Sequence, residues 1–172
     1  MCKESEWNIQ RIQSYIDNEI EENSNLEYKE ARALQQTNEK KAEITKDISS
    51  MANASGGIII YGIAEYSERS KSHLPEKISP INRNDISKEW LDQIISNIKP
   101  PINNCSIYPI DVPSSPEGVV YIVEIPQSET AHQAKDGRYY RRRNSTTERL
   151  EHYEIVDIMN RGIRKDIIVK FE

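Results

Sequence analysis

Residues 43–65, EITKDISSMANASGGIIIYGIAE, constrain this chain more than any other stretch. Ile44, Ile48, Met51 and Ala52 recur at helical spacing, and Gly56-Gly57 supplies the stop that such a helix needs. Residues 58–63 then form an apolar run suited to a strand buried on both faces. A helix, a tight glycine turn and a central strand must therefore follow one another without a linker. Glu65 falls at the C-terminal end of that strand, where open α/β sheets collect their sites.

The flanking pattern extends this unit in both directions. Residues 4–22 read as a helix with Ile9, Ile12, Ile16 and Ile20 as a partial apolar stripe, joined by Trp7 and Tyr15. Its last turn carries Glu19, Glu21 and Glu22, where the helix dipole disfavours negative charge. Residues 26–34 begin with period-two alternation and read as a strand, and Asn38 is the expected N-cap of the organising helix. Residues 66–84, polar and interrupted by Pro75 and Pro80, read as a long surface loop. Asp85 is the expected cap of a second core helix carrying Ile86, Trp90, Leu91, Ile94, Ile95 and Ile98 before Pro100-Pro101. Strands over 104–110 and 119–125 form a hairpin, Gly137 opens a short strand over 138–142, and Ser145 with Glu148 suggests a capping box for a final helix through about Arg161. The expected fold is α/β (α+β), a single domain over 1–172 with an N-terminal helix at 4–22 and a core at 23–161. The ending IIVKFE reads as a cut from a longer protein.

Composition narrows the function classes. No apolar run approaches the ~18 residues of a spanning helix, and mean hydropathy is -0.76, so no membrane partner is expected. The amino terminus lacks the apolar core of a signal peptide, and Cys2 and Cys105 are too scattered for a disulfide framework, which points to the cytoplasm. The net charge of -5 hides an asymmetry: residues 1–30 hold three basic and eight acidic residues, whereas residues 135–149 hold six basic and two acidic ones. One region suits cations and the other suits phosphate.

Two constellations carry chemistry. Glu27 and Lys29 share one strand face, Glu22 lies across the helix-to-strand junction, and Glu65 ends the central strand. If the two strands are neighbours, three carboxylates and an ammonium converge, a set suited to Mg²⁺ or Mn²⁺. Spacing alone leaves a solvated surface role open for each glutamate. The second constellation is Lys135, Arg138, Tyr140, Arg141, Arg142 and Arg143, whose guanidinium forks and rings suit a sugar-phosphate chain, with a solvated edge strand as the alternative. His73, His132 and His152 have no ligand spacing and read as ordinary surface residues, and no phosphate-loop pattern surrounds Gly56-Gly57.

Three segments in order resemble the Schlafen-type AlbA-like domain: ENSNLEYK, MANASGGIIIYGIAE and GRYYRRRNSTTE. The resemblance covers residues 20–159 and implies a mixed, largely antiparallel sheet flanked by helices. It further implies nucleic-acid binding and, as in some Schlafens, metal-dependent cleavage of tRNA-like RNA in a defence or toxin context. Carried over by position, Glu22, Glu27 and Glu65 become the metal-binding and catalytic acids, with Lys29 on the phosphate. Asn23 stands where the family usually has Ser or Thr, Asn144 where it has Gly, and Glu65 where the nuclease branch commonly has Asp. The resemblance also leaves open a non-catalytic DNA-binding or regulatory module. A homodimer or higher oligomer, or a fused C-terminal domain, would supply the second lobe of a groove. An oligomerisation scaffold without nucleic acid is a third class.

Overall fold

The computed structural model describes residues 6–163; residues 4 and 5 of the expected first helix and the IIVKFE ending lie outside them. The central sheet has strands β1 (Leu26–Lys29), β2 (Gly57–Tyr61), β5 (Ile81–Asn82), β6 (Ser106–Asp111) and β7 (Gly118–Ile125). β1 runs parallel to β2, and every other pairing in the sheet is antiparallel. The sheet is therefore mixed and largely antiparallel, as the sequence implied. β7 is its spine, with β6 on one edge and β2, continued by β5, on the other.

Helices α2 (Asn38–Asn53) and α3 (Lys88–Ile95) cover one face. Ile44, Ile48, Met51 and Leu91 pack there against Ile59, Tyr61, Tyr121 and Val123. α1 (Ile9–Asp17) lies over the other face, where Trp7 and Ile12 meet Leu26, Tyr28, Ile60 and Ile122. The helix–glycine–strand unit predicted at 43–65 forms as expected. Gly56 adopts φ +72, and a Cβ there would come within 2.6 Å of the Ile125 carbonyl and the Gln127 amide nitrogen. Only glycine lets β7's exit pass that close.

Several local expectations are corrected. α1 is capped by Asn8 and ends at Asp17, and Glu19 has φ +46, so Glu19, Glu21 and Glu22 leave the helix and incur no dipole penalty. The strand at 26–34 stops at Lys29 and gives way to a 3-10 turn over Ala31–Leu34. Thr37, not Asn38, caps α2, and Ser87, not Asp85, caps α3. The run at 58–63 is split by Gly62 (φ +107): Ile63–Glu65 becomes β3, which pairs with β4 (Pro75–Ile78) in a separate ribbon. Residues 66–84 are thus not loop throughout. Ser145 starts no helix; β8 (Tyr140–Arg143) turns at Asn144, φ +53, into β9 (Thr146–Arg149). The capping box belongs to Glu151 and Glu154 at the start of α4 (His152–Met159).

Candidate metal and nucleic-acid site

The site forms at the free edge of β1. Asn23 makes an antiparallel bridge with Leu26, so the chain doubles back and lays Glu22 along the strand. One Glu22 oxygen accepts from the Tyr28 amide at 2.8 Å, and the Glu22 amide donates to the His73 carbonyl at 3.1 Å. These contacts tie Glu22 to the β3–β4 ribbon. A bulge between Ala64 and Glu65 ends the regular register of that ribbon at Glu65. Ligand-type atoms of Glu22, Glu65 and His73 lie within 4.8 Å of one another.

Their electrostatics suit a cation. Burial and the neighbouring Glu22 push the Glu65 carboxyl up to about 7, and burial raises Glu22 despite its bond from Tyr28. Two carboxylates and an imidazole held this close make a hard-to-borderline donor set of metal-ligand type.

Glu27 does something else. It is buried, with Lys29 Nζ at 2.7 Å from one oxygen and Arg142 Nη1 at 2.6 Å from the other. Lys29 also reaches Asp47 of α2 at 3.3 Å. The two carboxylates raise the Lys29 ammonium above its ordinary range against the opposing effect of burial. The convergence expected of Glu22, Glu27, Lys29 and Glu65 therefore resolves into two adjoining groups, a Glu22–Glu65–His73 cluster and a Glu27–Lys29–Asp47–Arg142 ion network.

The basic stretch is divided in the same way. Arg142 is inside, its guanidinium also donating to the Asn23 carbonyl at 3.3 Å. Tyr140 is buried with its hydroxyl on Asp136, so neither residue presents the open stacking or phosphate-binding surface expected of it. Arg143 pairs with Glu154 and Glu148, Arg141 approaches Glu154 at 3.9 Å, and Arg138 approaches Asp136 at 3.9 Å. Arg138, Arg141, Arg143 and Lys135 keep solvent access. Arg141, Arg143 and Asn144 border a cavity of about 420 Å³ together with Ser24, two residues from Glu22.

His73, read as an ordinary surface residue, joins the cluster, and His132, read the same way, is buried with its ring nitrogens on the Pro100 carbonyl and the Ser128 hydroxyl; Asp47 was not singled out. Nothing local marks His73, because the ribbon that brings it in joins residues far from it in pattern. Asp47 carried a signal: it lies among Ile44, Ile48 and Met51 on the apolar side of α2, where an acid requires a buried partner.

The profile of the family described as Schlafen, AlbA_2 matches residues 22–151, beginning at the first residue of the cluster. The chain belongs to the Schlafen AlbA_2 family. No curated protein matches the sequence. Among solved structures, the DIP2311 protein from Corynebacterium diphtheriae superposes with a TM-score of 0.56 at 13% identity, covering 89% of this chain and 32% of that one. That likeness shows the fold alone, and this chain spans about a third of the length of that protein. The Schlafen AlbA_2 domain is thus a nucleic-acid-associated fold that here carries a cluster of metal-ligand type. Among the described residues no helix is long and apolar enough to cross a membrane.

Proposed function

We propose that this Schlafen AlbA_2 domain is a divalent-metal-dependent endoribonuclease acting on structured RNA such as tRNA, in a defence or toxin setting. The observation that carries the reading is the approach of the Glu22, Glu65 and His73 ligand atoms to within 4.8 Å beside Lys29. Glu22, Glu65 and His73 would hold Mn²⁺ or Mg²⁺, which when bound supplies an activated water and stabilises charge on the phosphate. Lys29 neutralises a phosphate oxygen from a position fixed by Glu27 and Asp47. Glu27 is then a positioning residue that holds Lys29 and Arg142, rather than a metal ligand. Arg138, Arg141, Arg143 and Lys135 line up the RNA backbone without reading sequence.

The test is incubation of the purified chain with labelled tRNA and with duplex DNA, in Mn²⁺ and in EDTA, beside Glu65→Gln and His73→Ala. Metal-dependent cutting of tRNA that Glu65→Gln abolishes supports the reading. Cutting that persists unchanged in Glu65→Gln and in EDTA overturns it. One observation favours a second reading, a non-catalytic nucleic-acid-binding module: Glu27, an acid carried over as catalytic, is occupied by Arg142 and Lys29. Salt-sensitive retardation without cutting, equal for all variants, would select that module.

A further inference from the structure

Beside the metal cluster, β1, α2 and the turn after Glu65 enclose a cavity of about 490 Å³, lined in part by Lys29, Arg32, Asp47, Tyr61, Glu65 and Tyr66. That volume is in the range of small-molecule sites. Tyr61 is 1% exposed, and its hydroxyl has no hydrogen-bond partner among the described residues. Folded proteins rarely leave such a group unsatisfied, and because Tyr61 lines the cavity a polar ligand there could supply the missing partner. Asp47 is 8% exposed, and among the described residues its carboxylate meets only Lys29, at 3.3 Å, although it can accept about four hydrogen bonds. Lys29 spends two of its three N–H groups on Glu27 and Asp47.

The unused capacity is therefore an acceptor pair, a donor, and a hydroxyl that serves as either. Guanine matches it best. Its N1–H and N2–H₂ are adjacent donors for a carboxylate, and O6 accepts from an ammonium or a phenol, whereas adenine offers a single amino group on that edge. The half-buried Tyr66 ring, with the Lys71 ammonium 5.1 Å from its centre, supplies a stacking surface on its remaining face, and Arg32, paired among the described residues with Glu30 at the exposed rim, can turn to a phosphate at little cost. We infer that this cavity is a nucleotide pocket that takes guanine on Asp47 and Tyr61, with its phosphate toward Arg32. That the nucleotide belongs to an RNA strand rests on the nuclease reading; the recognition chemistry does not.

Calorimetric titration in EDTA tests the pocket apart from cleavage, using guanosine 5′-monophosphate, adenosine 5′-monophosphate, and short RNAs with and without guanine. The wild-type chain is expected to bind the guanine nucleotide about tenfold more tightly than the adenine one. Tyr61→Phe should weaken that binding about fivefold or more while leaving the melting temperature of the free protein equal or higher, because it deletes an unsatisfied hydroxyl. Asp47→Asn, which replaces an acceptor by a donor, should remove the guanine preference. Equal affinity for the two nucleotides, or Tyr61→Phe binding as tightly as wild type, overturns the inference. A lowered melting temperature for Tyr61→Phe also overturns it, since the hydroxyl would then have a structural role. A guanine-containing RNA binding more tightly than the free nucleotide assigns the pocket to a strand, and equal binding assigns it to a free nucleotide. Guanine binding in EDTA without RNA cutting in Mn²⁺ keeps the pocket and sinks the nuclease; cutting without nucleotide binding does the reverse.

Discussion

Arg142→Ala separates a buried strut from a phosphate contact. The Arg142 side chain is 1% exposed and the Glu27 side chain 9%, and the pair meets at 2.6 Å with further bonds to the Asn23 carbonyl. Truncation would leave Glu27 buried with Lys29 as its remaining cation. Removing one partner of a buried pair costs about 3–5 kcal/mol. For a domain of this size each kcal/mol moves Tm by about 2–4 °C, so the midpoint should fall by about 6–20 °C. Thermal and urea unfolding followed by circular dichroism would measure this, with Glu27→Ala and the double variant completing a cycle. The double variant should be less damaged than the two single losses added together, because it leaves no orphaned charge. Arg138→Ala, 58% exposed at its side chain, is the control that should barely alter stability yet weaken RNA binding. The reasoning is refuted if Arg142→Ala loses less than ~1 kcal/mol, the worth of a surface pair, while the salt dependence of RNA binding drops by about one phosphate. Arg142 would then be facing the nucleic acid.

Asn53→Ala should cost about 3 kcal/mol or more, since the Asn53 amide donates to the His132 and Tyr140 carbonyls and accepts from the His132 amide in a buried setting; urea unfolding reads it. Gly56→Ala should cost about 2 kcal/mol or more, because φ +72 is combined with backbone atoms 2.6 Å from the new Cβ; a loss under ~0.5 kcal/mol would mean that the turn relaxes freely. Glu65 titrates near 7 in the folded chain against 4.5 ordinarily. The folded state therefore holds a proton that the unfolded state has released between those values, and the stability present below 4.5 is lost as pH rises through 7. In EDTA, Glu65→Gln should accordingly gain on wild type as pH rises to 8 and match it near 4.5; a pH-independent difference in Tm would contradict the assignment.

What the sequence made legible was local. The α2–glycine–β2 unit and the β6–β7 hairpin could be read because period, stop signal and burial agree within a short window. Ser145 misled because S-x-x-E also fits a hairpin; the deciding interaction is tertiary, the grip of Asn53 on the Tyr140 carbonyl, which holds β8 against α2. The Ile58–Ile63 run hid the break at Gly62, and with it the separate ribbon that carries both Glu65 and His73 to Glu22. Glu22 and Glu65 were named correctly as neighbours in space, but the partner of Glu27 stands 115 residues away and no spacing rule reaches it.

The two groups at this edge differ in charge balance. In the inner network two carboxylates, Glu27 and Asp47, face two cations, Lys29 and Arg142. That balance suits the neutral base of the proposed guanine nucleotide, with the charged phosphate held apart at Arg32. In the outer cluster burial is the main cause that raises Glu22 and Glu65, with the Glu22 charge adding to it at Glu65 and Lys29 opposing it at both. A divalent ion bound there would favour the ionised form of both carboxyls. The Glu27–Arg142 bond holds Glu27, and Glu27 in turn pairs with Lys29, so on the proposed reading it fixes the lysine that would meet the phosphate.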